Sequence, residues 1–386
     1  MLFEATDFTT LGLPAAARTL RTEIRAFLDA ERAAGSIRPH LGHGAFDPAF
    51  SRKLGARGWI GMTWPKRYGG HERSYLERFV VTEELLAAAA PIAAHMAADR
   101  QTGPSLLRWG SEAQREKYLP AIARGECFFA LGMSEPNSGS DLASVRTRAT
   151  KVDGGWRLNG QKIWTSWAHL ASAMFVLCRT SDKVDDKHDG LSQLIVELTS
   201  PGVRVRPIRF LNSEHHFNEV FFDDVFVPDD MVLGVIGQGW RQVTSELALE
   251  RSGPERYMNT FPLFAALIER LKHTADARAQ VLLGTLASGF IALRRMSLAI
   301  AYAFDQTTDV NLAVEAALVK DLGTHFEREI TDAVRWLTDI EPVAGSDVEF
   351  ERLLAEATLF APISTIRSGT TEVLRGMVAK RLERSL

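Results

Sequence analysis

Apolar positions recur at three- and four-residue spacing through AARTLRTEIRAFLDAERAA, FSRKLGARGW and EAQREKYLPAIARGE, so residues from about 14 to 125 read as helices. Ser111, followed by Glu112 and Gln114, predicts an N-cap, and Gly125 a helix stop. Around residue 127 the period changes. Short alternating or β-branched runs follow (WRLNGQKIW, AMFVLCRT, LSQLIVEL, VRVRPIRF, NEVFFDDVFV), broken by Gly, Pro, Asn and Asp, which predicts a compact antiparallel β-domain to about residue 234. After Gly237-Gln238-Gly239 the helical period returns, with amphipathic stretches at 256–272, 275–305, 310–338 and 348–361. Four long helices make a bundle the economical arrangement. The expected fold is therefore mainly α with a central β-domain: an N-terminal helical domain (1–127), a middle antiparallel β-domain (128–236) and a C-terminal four-helix bundle (237–386), with no tandem repeat. Function is expected where these layers meet.

Composition narrows the class. The chain has 386 residues, 46% of them hydrophobic, enough to bury a large core. With 45 basic against 48 acidic residues the net charge is −3, so no broad basic field is available for nucleic acid or an anionic membrane. The amino-terminal MLFEATDFTTLGL lacks a basic region and does not read as a signal peptide; LLAAAAPIAAHMAA is interrupted by Pro91 and too short to span a bilayer. Cys127 and Cys178 are too few for a disulfide framework or a thiolate metal site, which fits a reducing, cytoplasmic setting. No metal is expected. The adjacent His215 and His216 do not share a helical face as a metal pair would, and read as a surface loop.

Two segments carry candidate chemistry. In FFALGMSEPNSGSDLASVRT, residues 128–147, a short apolar strand runs into a turn dense in small residues that exposes backbone N–H groups and hydroxyls. Such a loop cradles a phosphate or a polar ring edge, or is an ordinary connector. In WRLNGQKIWTSWAHLASAMFVLCRT, Asn159-Gly160 predicts a hairpin turn, and the strand after it displays Trp164, Thr165 and Ser166. An aromatic beside hydroxyls suits a flat heteroaromatic ligand, or is a core tryptophan beside surface hydroxyls.

Together these segments resemble the acyl-CoA dehydrogenase family, in which a T/S-E-P-x-x-G-S-D loop and a K-x-W-(I/T)-(T/S) strand hold the flavin ring. GWIGMTWPKRYGG and GSEAQREKYLPAIARGE look like its N-terminal domain, FNEVFFDDVFVPDDMVLG like the end of its β-domain, and IRSGTTEVLRGMVAKRL like its terminal helix. The resemblance covers nearly the whole chain and implies FAD as cofactor. It implies that Met133 and Ser134 contact the pyrimidine edge of the flavin, that Trp164 covers the ring and that Ser166 hydrogen-bonds near N5. It places Ser140 by the phosphates or the acyl-CoA, and Thr370 with Glu372 against the cofactor. Glu135 and Asp141 are read as residues that fix the loop.

Oxidising an unactivated α,β C–C bond needs a general base for the α-proton and hydrogen bonds to the thioester carbonyl. Many family members carry the base as a glutamate immediately before the Gly-Thr of the C-terminal motif, where this chain has Ser368. A second family pattern places it in an L-x-x-E-R context on the first helix after the β-domain, and Leu247-Ala248-Leu249-Glu250-Arg251 matches, so Glu250 is the expected base. Gly253 and Pro254 predict a break in the helix just beyond it. The resemblance also implies that the Ser368 amide meets the thioester carbonyl and that Arg251 orients the helix or the base on the substrate side.

The family's Arg-x-x-Phe-Gly segment, which reaches the FAD of a neighbouring subunit, is absent; LKHTADARAQVLLG stands there, with Arg278 as a possible substitute. The expected partners are an acyl-CoA, an electron-transferring flavoprotein, and further subunits in a homotetramer or a heterotetramer with a related chain. These departures resemble divergent bacterial enzymes acting on bulky, branched or steroid-side-chain CoA esters. Two alternatives stand beside dehydrogenation: a flavin monooxygenase on the same scaffold, and a non-catalytic subunit of a heteromeric dehydrogenase.

Overall fold

The computed structural model describes residues 12–41, 45–181, 185–307 and 311–383. Of the amino-terminal segment read above for a leader, residues 1–11 lie outside them. Six helices come first: α1 (Ala15–Ala33), α2 (Pro48–Ala56), α3 (Tyr75–Ala87), α4 (Ala93–Ala97), α5 (Gly103–Trp109) and α6 (Glu112–Ala123). The strands are β1 (Phe129–Gly132), β2 (Arg148–Val152), β3 (Gly155–Ser166), β4 (Ala173–Arg179), β5 (Leu191–Glu197), β6 (Val203–Arg209), β7 (His215–Pro228) and β8 (Val232–Leu233). Then come α7 (Gly239–Arg251), α8 (Phe261–Leu271), α9 (Ala277–Gln306), α10 (Ala313–Leu337), α11 (Glu349–Ser364) and α12 (Thr371–Glu383). The helix, sheet, helix order is the one the hydrophobic period predicts.

Local chemistry explains the boundaries. Ser111 and Gln114 form a reciprocal capping box at the start of α6, and Gly125 closes it at φ +69°. α7 stops at Arg251, and Gly253 and Pro254 redirect the chain into a 3-10 turn, Pro254–Arg256, as the missing proline N–H requires.

Three expectations need correction. The sheet runs β6-β7-β3-β2-β4-β5-β8, and although its main ladders are antiparallel, β1 lies parallel to β4 and β2 meets β4 in parallel at Arg148 and Arg179. The sheet is mixed because the long connection from 133 to 172 returns the chain to β1 in its original direction, as a parallel pair demands. Asn159-Gly160 is not a hairpin turn: β3 runs through it, and the β2–β3 turn falls at Asp153-Gly154, with Gly154 at φ +69°. The Asn159 side chain instead accepts a hydrogen bond from the Asp224 backbone at 2.8 Å, beside an irregularity in the β3–β7 ladder. His215 and His216 lie at the start of β7 rather than in a loop, where His169 stacks on His215 and Trp167 packs on His216. The periodicity of this stretch is hidden by its polar residues. Among the described residues no cluster of three or more His, Cys, Asp or Glu side chains could hold a metal.

The chain forms two compact units. One comprises Met1–Ala45, Arg73–Pro91 and Ala248–Leu386, the other Phe46–Glu72 and Ile92–Leu247. In the first, Glu83 on α3 pairs with Arg21 on α1 and Arg294 on α9, and Glu84 pairs with Arg25, which ties two early helices to the late ones. Its core includes Leu263, Leu267, Val334, Leu353 and Leu354. In the second, Trp156, Leu158, Met174, Val176, Leu194, Val220 and Val225 form the core of the sheet. Among the described residues one helix, α9, is long and apolar enough to cross a membrane by length and composition, whereas the sequence reading considered only the Ala-rich stretch around Pro91 and found it too short. Its Leu286, Leu293, Leu298 and Ile300 are buried within the helical unit.

Candidate active site

The site residues read from the sequence fall into two constellations, one in each unit. In the sheet unit, the loop after β1 is held by a buried ion pair. Lys162 Nζ donates to Glu135 Oε1 at 2.8 Å and to the Met133 carbonyl at 2.9 Å. The Glu135 carboxylate also accepts from the backbone N–H groups of Arg146 (2.6 Å) and Thr147 (2.9 Å). Burial alone would raise the Glu135 pKa, but Lys162 and these donors outweigh it and hold it below the ordinary value. Burial is also the main influence on Lys162, and lowers its pKa despite Glu135. Glu135 is thus the loop-fixing residue expected, and Lys162, its partner, is the residue that the sequence reading left out. Asp141 accepts from Lys187 at 2.8 Å.

That anchoring sets the positions of its neighbours. The Ser134 carbonyl accepts from the Ile163 N–H at 2.9 Å, and Met133 packs on Val145, Leu177, Leu191 and Val243. Ser140 stands exposed at the end of the turn. The β3–β7 ladder is irregular between Lys162 and Thr165, and within that gap Trp164 adopts φ +59°. A bulky residue in the left-handed region stores roughly 1–3 kcal/mol of strain, which persists only where the surroundings enforce it. The bulge turns the indole outward, 54% exposed, with Phe217 edge-on at 5.9 Å and the half-buried Ser166 two residues on.

In the helical unit, Glu250 at the end of α7 meets the Ser368-Gly369 turn. The Ser368 hydroxyl donates to Glu250 Oε1 at 2.5 Å, and Arg256 Nη2 approaches the same oxygen at 3.3 Å. Arg256 also donates from Nε to the Glu250 carbonyl at 2.9 Å and from Nη1 to Ser368 Oγ at 3.3 Å. Ser368 sits at φ +58°, followed by Gly369 at φ +100°. Two buried cations hold that turn: Arg251 Nε donates to the Ser368 carbonyl at 2.9 Å and Lys320 Nζ to the Gly369 carbonyl at 2.8 Å. Burial first, then the charges of Arg256, Arg367 and Arg251, pulls the Lys320 ammonium down to about 7. Arg367 lies 4.0 Å from Glu327, whose carboxylate burial pushes up in pKa.

Thr370 caps α12, its hydroxyl accepting from the Val373 N–H at 3.4 Å, and Glu372 is exposed in the first turn of that helix. The structure therefore brings Glu250, Arg251, Ser368 and the start of α12 together. Arg278 opens α9, where Asp276 caps its backbone N–H. Arg256 and Lys320 are absent from the sequence reading. Neither belongs to a motif quoted from the sequence, and no spacing rule joins position 256 or 320 to position 368.

Residues 14–126 match the family described as acyl-CoA dehydrogenase, N-terminal domain, and residues 130–225 the one described as acyl-CoA dehydrogenase, middle domain. Over 373 residues, 94% of this chain and 96% of its relative, the sequence is 33% identical to acyl-CoA dehydrogenase IpdE1 of Mycobacterium tuberculosis. The chain belongs to the acyl-CoA dehydrogenase family. It is accordingly an oxidoreductase, as the ordered motifs predicted. Acyl-CoA dehydrogenase FadE29 of the same organism is 33% identical, with 87% of this chain and 88% of that one covered. Among solved structures, the Tcur3481-Tcur3483 steroid acyl-CoA dehydrogenase superposes with a TM-score of 0.83 at 28% identity, covering 98% of this chain and 99% of the other. The ChsE4-ChsE5 complex from Mycobacterium tuberculosis follows at 0.79 and 25%, with 98% and 99% covered. These neighbours share the acyl-CoA dehydrogenase fold, with its N-terminal helices, middle sheet and C-terminal helices.

Proposed function

We propose that this acyl-CoA dehydrogenase carries out FAD-dependent α,β-dehydrogenation of a bulky acyl-CoA ester, with Glu250 as the α-proton base and an electron-transferring flavoprotein as the acceptor. The observation that carries the reading is the Glu250 carboxylate, only 13% exposed and hydrogen-bonded through Oε1 to the serine that stands where many relatives carry the acid. A carboxylate so withdrawn from water is suited to act as a general base toward a carbon acid.

FAD, when bound, accepts the β-hydride. Residues on the sheet fit a flat heteroaromatic group: Trp164 is turned outward on a strained bulge, the Ser166 hydroxyl follows, and Thr165 Oγ1 is buried without a hydrogen-bond partner. Met133 and Ser134 would meet the pyrimidine edge, Trp164 would cover the ring and Ser166 would reach toward N5. Ser140 would lie by phosphate or CoA, with Thr370 and Glu372 against the cofactor. In the acyl-CoA complex the Ser368 amide would donate to the thioester carbonyl, with Arg251 fixing that turn through the Ser368 carbonyl. Glu250 would take the α-proton while enolate charge grows on that oxygen.

The bulky substrate class is supported by the similarity to the Tcur3481-Tcur3483 steroid acyl-CoA dehydrogenase. Two structural neighbours, Tcur3481-Tcur3483 and the ChsE4-ChsE5 complex, pair two different chains, which supports a heterotetramer with a related subunit beside the homotetramer reading. On this reading the functional segments of the chain are 1–127, 128–236 and 237–386. Anaerobic addition of CoA esters, from butanoyl-CoA to a steroid propanoyl-CoA, should bleach the flavin of the purified protein. Glu250→Gln should keep the flavin and lower its reduction rate by at least about 10³-fold. Reduction at an undiminished rate in that variant would remove the assignment.

A further inference from the structure

We propose that Arg256 is the positioning residue of the base: with the Ser368 hydroxyl it clamps Glu250 Oε1, so that Oε2 is the oxygen that receives the α-proton. The proposal rests on the reading of Glu250 as the base. The guanidinium is buried, with Arg256 itself 7% exposed, and three of its nitrogens are directed at the same two residues. Nε grips the Glu250 carbonyl at 2.9 Å, Nη2 the carboxylate Oε1 at 3.3 Å and Nη1 the Ser368 hydroxyl at 3.3 Å. Ser368 closes the triangle with its 2.5 Å bond to Oε1. Oε2 lies outside these contacts.

The chain is broken in a place that makes this possible. In a continuous helix residues 250 and 256 would point about 120° apart around the axis and about 9 Å apart along it, too far for the two side chains to meet. The break at Gly253-Pro254 and the single 3-10 turn after it fold Arg256 back over the last turn of α7. The backbone N–H groups of Tyr257 and Met258, both buried residues, close that turn by donating to the Pro254 carbonyl at 3.1 and 3.0 Å.

The other half of the clamp is also built to one geometry. Ser368 presents its hydroxyl from a backbone at φ +58°, and the turn is pinned by Arg251 on the Ser368 carbonyl and Lys320 on the Gly369 carbonyl. Gly369 sits at φ +100°, a conformation strained for any L side chain, and a Cβ there would lie 3.0 Å from Arg251 Nη2. A carboxylate on a free side chain samples several rotamers. Anchoring one oxygen through two donors restricts the other to a narrow arc, which is what efficient proton transfer from carbon needs. During that step the Cα–H bond breaks and the Oε2–H bond forms, while both donors to Oε1 stay in place and no proton need leave Ser368 or Arg256. Arginine suits the role because its planar guanidinium presents several N–H donors in a fixed fork, enough to hold both Glu250 and Ser368.

The test uses the flavin-loaded protein, the CoA ester that reduces the wild type fastest, and stopped-flow flavin reduction. Arg256→Gln should lower the limiting rate by about 30- to 300-fold, with the half-saturating ester concentration changed less than about threefold. The kinetic isotope effect of α-deuterated ester should rise, because proton abstraction alone is slowed. Guanidinium ion at tens of millimolar should restore Arg256→Ala several-fold and leave Glu250→Gln unchanged. In a double variant with Glu250→Gln, the Arg256 change should add almost nothing. If the Arg256 variants lose flavin or melt early, Ser368→Ala decides, with an expected fall of about tenfold and the same isotope signature.

Arg256→Gln with a rate within threefold of wild type, or a loss that guanidinium cannot rescue and that multiplies with Glu250→Gln, overturns the clamp. A Glu250→Gln protein that still reduces flavin overturns the base assignment itself, whatever Arg256 does. A wild type that reduces its flavin with none of the esters removes that reading and this proposal together.

Discussion

His95 is buried on α4 with its Nδ1 2.9 Å from the Ser51 hydroxyl, and burial draws its pKa down to about 4, Asp99 opposing and Arg100 reinforcing the shift. The folded value lies below the ordinary 6.5, so between the two the unfolded chain binds more protons. The stability that comes from a neutral His95 is complete above pH 6.5 and is lost as pH falls through about 4, on the order of 3 kcal/mol. Urea melts at pH 7, 5.5 and 4.5 should show His95→Gln losing less stability than wild type over that range. Equal losses would mean that His95 is not the proton acceptor. At this scale the sequence disclosed residues with a strong local signature. Glu250 stands out as the candidate base because Leu247 and Arg251 frame it in a family pattern, and Glu135 as a loop-fixing residue because it sits in the loop motif. Arg256 does not, since on helical spacing it points away from Glu250 and only the break at Pro254 reverses it.

At the scale of the element, β3 shows why a pattern can be recognised and its geometry misread. Asn159-Gly160 is a strong hairpin signal, yet Asp153-Gly154 takes the turn, and Gly160 serves a close approach instead. A Cβ there would lie 2.5 Å from Thr147 Oγ1 and 2.7 Å from its Cα, with the backbone at φ +147°. Gly160→Ala should therefore cost about 1–3 kcal/mol, whereas Gly139→Ala, with nothing within 4 Å of the added carbon, should leave thermal stability nearly unchanged. Matching melting temperatures for the two variants would contradict this account of β3. The same strand carries the Trp164 bulge, which the alternation of residues could not announce. A bulge is decided by the partner strand, here by the register β7 offers on either side of Lys162 and Thr165. Helix limits were more readable, because the capping box at Ser111 and the proline after Arg251 act through bonds a few residues away.

At the scale of the whole molecule, α9 presents Val281 (69% exposed) and Ile291 (55%), with Gly284, Thr285, Ser288 and Ala292 also exposed. An apolar and small-residue face of this length on a single chain fits the proposed tetramer. Val281→Lys with Ile291→Lys should shift the sedimentation of the flavin-loaded protein to smaller species; an unchanged assembly would place the interface elsewhere. The sequence by itself determined the order of helices and sheet, the family, and the loop and strand motifs, and it singled out Glu250 as the candidate base. Each depends on periodicity or on residues near one another in the chain, where propensity, capping and motif spacing act. Only the tertiary structure decided that β1 runs parallel to β4, that Lys162 pairs with Glu135, and that Arg256, Ser368 and Lys320 surround the end of α7. Those contacts join residues up to 118 positions apart. Such pairings are selected by burial and by the need to satisfy charges withdrawn from water, and neither leaves a period in the sequence.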